Sequence, residues 1–185
     1  MKILNPLNLL AERLENEIAL LWSFNKAAGR GLTGGEKTLA KSVFGDQIDY
    51  DRVRLSRMFF VSRTDGLTCN ERIYLPQNFF GADLSTQSLE KQRLLIHELT
   101  HIWQKQQRKT SFFSGQIDFF RALVTDIYKY DTASAKPFKH LGAEQQASLV
   151  EDYFFHREKG RQDPESRALA LCLAKKIGDV LPLQP

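Results

Sequence analysis

His97-Glu98-Leu99-Thr100-His101 is the stretch whose residue types and spacing can do chemistry. Side chains four residues apart share one face of a helix, so both imidazoles can reach a single ion. Neutral imidazole nitrogen suits Zn2+ in tetrahedral geometry. The carboxylate directly after the first histidine stands beside water held by such an ion. It can take that water's proton during attack on a carbonyl. His97 and His101 are therefore candidate ligands, and Glu98 is the candidate general base. Two of the chain's four histidines are spent in this motif.

A zinc site of this kind takes a third protein ligand. One known variant places a glycine and a histidine soon after the motif, with a later methionine. Here the chain continues Ile102-Trp103-Gln104-Lys105, and no methionine follows Met58, so that variant is excluded. The best candidate is Glu144. It lies beside the apolar stripe Ala143, Ala147, Val150 and Phe154, where a buried carboxylate requires a partner. An acid in the first turn of a helix is also favoured by the helix dipole alone. Glu151, Asp152 and His140 stay open as alternatives. Ligand histidines usually donate their second N–H to a carboxylate or carbonyl, and Asp126, Glu151 and Asp152 are available for this. Tyr128, Tyr130, Tyr153 and His140 are candidate donors to a developing oxyanion, although a packing role is the plainer reading of any one tyrosine.

These residues need elements to hold them. Leu94, Leu95, Leu99, Ile102 and Trp103 recur at helical spacing, which predicts a helix from Ser85 or Ser88 to about Arg108. Upstream, residues 7–28 carry Leu10, Leu14, Ile18, Leu21 and Trp22 and predict an amphipathic helix. Thr33 and Glu36 form a capping-box pattern for a helix ending at Gly45-Asp46. Residues 52–62 and Glu71 to Leu75 read as strands. Asp65-Gly66 between them predicts a hairpin, and Pro76 stops the second strand. After the motif, residues 109–119 read as a loop, residues 117–128 as a helix and residues 130–141 as irregular. A helix is predicted from Gly142 to Arg157. Another is opened by Asp163-Pro164 and closed by Gly178.

The whole is 185 residues with 42% hydrophobic and 26% charged composition, which suits one globular domain and excludes wholesale disorder. A net charge of +4 is mild. Lys105, Arg108 and Lys109 cluster at the end of the motif helix, as cations do at helix C-termini, so nucleic acid is not called for. Cys69 and Cys172 form neither a CxxC pair nor a disulfide framework. No apolar run approaches the roughly 20 residues that span a bilayer, and Glu12, Glu15 and Glu17 interrupt any secretory signal. The expectation is a cytoplasmic protein, or one exported by a machine that needs no cleaved signal.

The motif and its setting resemble a zincin of the Glu-ligand, gluzincin-like branch. More narrowly, Phe44-Gly45-Asp46-Gln47-Ile48-Asp49-Tyr50, Arg72-Ile73-Tyr74-Leu75, Leu95 through Gln104, Gly142-Ala143-Glu144-Gln145-Gln146-Ala147 and Glu151-Asp152-Tyr153-Phe154 resemble the bacterial Vgr-related proteins associated with type VI secretion. The resemblance covers about residues 30–160. Four residues after Glu144, where many gluzincins carry a carboxylate, this chain has Ser148. The resemblance implies an α+β, mainly helical fold: a minimal zincin-like core with a small sheet or hairpin before the motif helix. Chain length and helical periodicity predict a single domain over residues 1–185, with an N-terminal helix in 1–30, a metal-site core in 31–160 and a C-terminal helix in 161–185. The resemblance implies a zinc-dependent peptidase or amidase acting on a peptide or protein. The alternative is a catalytically weak or inactive adaptor or loading factor that binds a type VI secretion spike protein. Arg72 to Leu75 is expected, by analogy, to be a sheet edge that pairs with an extended peptide.

Overall fold

A computed structural model of the chain describes residues 29–58, 66–69, 71–107, 129–131 and 136–184. The predicted helices over 7–28 and 117–128, the loop at 109–119, and Asp126 and Tyr128 lie outside these residues.

Helix α1 spans Gly34–Phe44 and starts where its cap dictates. The Thr33 hydroxyl accepts from the Glu36 amide at 3.0 Å, and the Glu36 carboxylate accepts from the Thr33 amide at 2.9 Å. Gly45 ends the helix at φ 54°. Glu36 reaches beyond the cap. Arg30 grips it through two nitrogens, each at 2.7 Å, and the Leu84 amide donates to it at 3.0 Å. Its side chain is fully buried. Removing one partner of a buried ion pair costs about 3–5 kcal/mol, so Glu36→Ala is expected to lower stability by that order in chemical denaturation. Burial works against the Glu36 carboxylate, but Arg30 and the two amides outweigh it and hold the carboxyl below its ordinary value. A depressed folded-state value means that this stabilisation is present above the unfolded value of about 4.3. It disappears as pH falls through the folded value.

Three short strands follow: β1, Arg54–Met58; β2, Leu67–Cys69; and β3, Arg72–Pro76. Their order is β1-β3-β2. β1 and β3 run parallel, with Leu55 opposite Ile73, whereas β2 and β3 run antiparallel, with Thr68 opposite Ile73. This corrects the hairpin expected around Asp65-Gly66. β2 turns into β3 between Cys69 and Arg72, and Glu71 there adopts φ 36°. Two-residue hairpin loops need such positive φ values. The chain leaves β1, passes to the far side of the sheet as β2, and returns down the middle as β3. The expected edge at Arg72 to Leu75 is corrected with it. β3 is the central strand, its main chain is paired on both sides, and the edge beside the motif helix is β2.

Helix α2, Leu89–Gln106, carries the motif. Helix α3 spans Ala143–Lys159 and α4 spans Pro164–Ile177. Asp163 caps α4 by accepting from the Glu165 amide, with Pro164 at the first helical position. α2 packs between the sheet and α3, and α4 covers the other side of α3. Leu55, Ile73 and Leu75 from the sheet meet Leu95, Ile96, Leu99 and Ile102 from α2 and Leu149, Val150 and Phe154 from α3 in one core. Trp103 is fully buried and its indole N–H donates to Gln47 at 2.7 Å. The architecture is mainly helical with a small mixed sheet, an α+β arrangement. Among the described residues, no helix is long and apolar enough to cross a membrane.

Candidate metal centre

An amphipathic helix on a surface keeps one face polar and wet. α2 does not, because Leu95 through Thr100 and Ile102 through Gln104 are all buried. His97, Glu98, Thr100 and Gln104 therefore lie inside the protein, where each polar group needs a partner. Arg93, His97, His101 and Gln104 recur at spacings of four, four and three, a polar stripe along one helix face. α3 runs antiparallel to that stripe, so Arg93 and His97 meet Glu151 while Gln104 meets Ala143 and Gln146.

The two Nε2 atoms of His97 and His101 lie 3.3 Å apart. Glu144 Oε2, from the first turn of α3, is 3.4 Å from the first and 3.3 Å from the second. These three residues form the one group of candidate metal ligands found among the described residues. Donors about 2.0–2.1 Å from a common centre at tetrahedral angles stand about 3.3–3.4 Å apart. All three edges match that spacing. The set of two imidazoles and a carboxylate, all largely buried, fits a small divalent cation.

The outer nitrogens are also arranged for this. His97 Nδ1 pairs with Glu151 Oε2 at 2.5 Å, and His101 Nδ1 pairs with Gln104 Oε1 at 3.0 Å. Both Nε2 atoms are thereby left facing Glu144. Glu151 is held in turn by Arg93 Nε at 2.5 Å. Arg93 also reaches Asp152 at 2.7 Å, and Asp152 accepts from the Tyr130 hydroxyl at 2.6 Å. Burial works against charge on His97, but hydrogen bonds with Glu144 and Glu151 push it up to about 10. Burial likewise opposes the Glu144 carboxylate, and the histidines, His101 first, hold it well below the usual range. Both directions have one cause, the attraction between the Glu144 carboxylate and the imidazoles that face it.

Glu98 sits one residue on from His97, so it is turned toward the sheet. Thr68 on β2 donates to its Oε2 at 2.7 Å. Burial pushes the Glu98 carboxyl up, opposed by the two histidines. That direction suits a proton acceptor, since a base works best near the operating pH. Gly66 explains itself here. A Cβ on it would lie 2.6 Å from Glu98 Oε1 and 2.8 Å from its Cδ. Gly66→Ala is expected to displace the carboxylate while leaving His97, His101 and Glu144 in place. If Glu98 is a general base beside a bound metal, metal content should stay constant and hydrolysis should drop at least about tenfold, an order consistent with small misplacements of catalytic groups. Wild-type turnover in the alanine variant would refute this.

The structure brings His97, Glu98, His101, Glu144, Glu151 and Asp152 into one cluster. His140 is exposed in a short turn ahead of α3, and the buried Tyr153 donates to the Gln184 carbonyl at 2.9 Å, so neither joins that cluster. Arg93, Gln104 and Thr68 were not singled out from the sequence. The first two carried a signal, their helical spacing from the histidines. Thr68 carried none, because only the sheet topology brings β2 to Glu98.

No family model matches the chain. Over 154 residues, 80% of the chain, it is 39% identical to the type VI secretion system spike protein VgrG2b of Pseudomonas aeruginosa. It spans 15% of that protein's length. It also superposes on the solved effector domain of Pseudomonas aeruginosa VgrG2b with a TM-score of 0.66 at 35% identity, covering 81% of this chain and 84% of that domain. A chain that matches most of that domain in both sequence and fold belongs to the family of the VgrG2b effector domain.

Proposed function

We infer that this chain is a zinc-dependent peptidase or amidase with a zincin-like core, held by His97, His101 and Glu144. The observation that carries the reading is the near-equilateral triangle of Nε2, Nε2 and Oε2 atoms at 3.3, 3.3 and 3.4 Å. Bound zinc would supply Lewis acidity toward a carbonyl and lower the pKa of its water to about 7. The protein's own groups do the rest. Glu98, held through Oε2 by Thr68, accepts the proton released by the attacking water and passes it to the leaving amine. Glu151 and Gln104 orient the histidines, and Arg93 steadies Glu151. Among the described strands β2 is the sheet edge beside Glu98, the place where an extended peptide would pair by main-chain groups.

The relative's name places VgrG2b in type VI secretion, and its solved portion is called an effector domain. This chain corresponds to that portion. We therefore read it as an effector-type enzyme that leaves the cell with a type VI spike, independently of a cleaved signal. Metal analysis of the purified protein tests the core of this reading. One zinc per chain is expected, lost on chelation and restored on addition. A protein that takes up no zinc at micromolar concentration would sink it.

A further inference from the structure

Gln104 lies 1% exposed against the second histidine, and its hydrogen bonds can be assigned completely. The assignment starts from groups that can only accept. The main-chain carbonyls of Phe138 and Leu141 lie 3.0 and 3.3 Å from one end of the Gln146 amide, so that end is the nitrogen. Gln146 Oε1 must then be the oxygen that faces Gln104. The near end of the Gln104 amide meets this oxygen at 3.0 Å and the Ala143 carbonyl at 2.9 Å. Both are acceptors, so that end of Gln104 is its nitrogen and both its hydrogens are used. The other end, Oε1, is therefore the group 3.0 Å from His101 Nδ1. An amide oxygen has no proton to give, so the proton in that bond belongs to the histidine. Amide orientations are assigned from networks of this kind, and this one ends on main-chain carbonyls that admit only one solution.

We propose that Gln104 is a positioning residue that keeps a proton on His101 Nδ1, so that Nε2 is the nitrogen from which His101 offers a lone pair. This rests on the zinc reading above only in its consequence for metal. The hydrogen bond holds whether or not an ion is bound, and whether His101 is neutral or an imidazolium. The same side chain has a second effect. Its nitrogen grips the carbonyl of Ala143, the residue before Glu144. One buried amide thus ties the second histidine on α2 to the turn of α3 that carries the carboxylate facing it. Glutamine suits this position because it accepts at one end and donates twice at the other.

Imidazole proton spectra of the 15N-labelled full chain, taken metal-free, test the assignment directly. The expected result is a slowly exchanging His101 Nδ1–H in the wild type, lost or rapidly exchanging in Gln104→Leu. Zinc affinity, measured by chelator competition, should fall about 10- to 100-fold in Gln104→Leu, the range seen for groups that orient metal ligands. Gln106→Leu on the same helix should change neither. Glutamate is not a usable rescue here, because it would turn an acceptor toward the Ala143 carbonyl and Gln146 Oε1. The wild type carries the test by itself if Gln104→Leu does not fold: a metal-free His101 with its only proton on Nε2 and a bare Nδ1 would overturn the proposal. A folded Gln104→Leu with a protected Nδ1–H and zinc affinity within twofold of wild type would also overturn it. If the wild type takes up no zinc yet shows the protected proton only when residue 104 offers an oxygen, the zinc reading fails and the Gln104 assignment stands.

Discussion

Glu98→Gln should leave zinc stoichiometry unchanged and lower the hydrolytic rate by about 10²- to 10⁴-fold, the contribution of a positioned general base. The substitution replaces one carboxylate oxygen with an amide nitrogen of nearly the same size. The remaining oxygen still accepts from Thr68, which holds the present carboxylate at 2.7 Å. Glu98 is 3% exposed and burial disfavours its charge, so the neutral amide should fold at least as well as the wild type. The prediction thus separates stability from activity: a melting temperature at or above wild type, together with a collapsed rate. Cleavage of a mixed peptide library, read by mass spectrometry, measures the second half. An unchanged rate would remove Glu98 from the role of base. If the variant instead lost cleavage but kept the protein's biological effect, the protein would act as an adaptor rather than an enzyme.

Glu144→Ala is expected to abolish stoichiometric zinc, with affinity falling more than about 100-fold, beyond the range for residues that only orient a ligand. Glu144 is the oxygen donor that both Nε2 atoms face, and its carboxylate is held well below the usual range by those contacts. Alanine leaves two imidazoles 3.3 Å apart with no anion between them. Glu151→Gln is the informative companion. It keeps an oxygen for His97 Nδ1 but weakens the pairing with Arg93, so it should cost about 10- to 100-fold in affinity while zinc still binds. Titration of each variant with zinc against a chromophoric chelator measures both. Retention of one zinc by Glu144→Ala, with loss in Glu151→Gln, would reverse the two roles.

Local rules make much of this molecule legible from the chain alone. His97 and His101 share a face because four residues are nearly one helical turn, whatever surrounds them. Thr33 and Glu36 begin α1, and Asp163 and Pro164 begin α4, because caps satisfy amides within the same few residues. Glu144 was the leading third ligand from its place beside an apolar stripe. What the chain alone left open was decided by partners distant in sequence. Glu144 and Glu151 lie two turns apart on the same face of α3, so periodicity cannot separate them. The antiparallel register of α3 against α2 does, setting Glu144 against the Nε2 atoms and Glu151 against His97 Nδ1.

The sheet shows the same division. Asp65-Gly66 carries a strong local turn signal, yet β1 runs parallel to β3 and the antiparallel pair is β2 with β3. The glycine serves a contact with Glu98, 32 residues further along the chain (98 − 66). Strand pairing depends on which edge finds which partner, and no window of neighbouring residues contains that information. Spacing along one helix determined the chemistry this chain can attempt. The tertiary structure decided which atoms meet to perform it, because hydrogen-bond partners and metal donors are selected by distance in space.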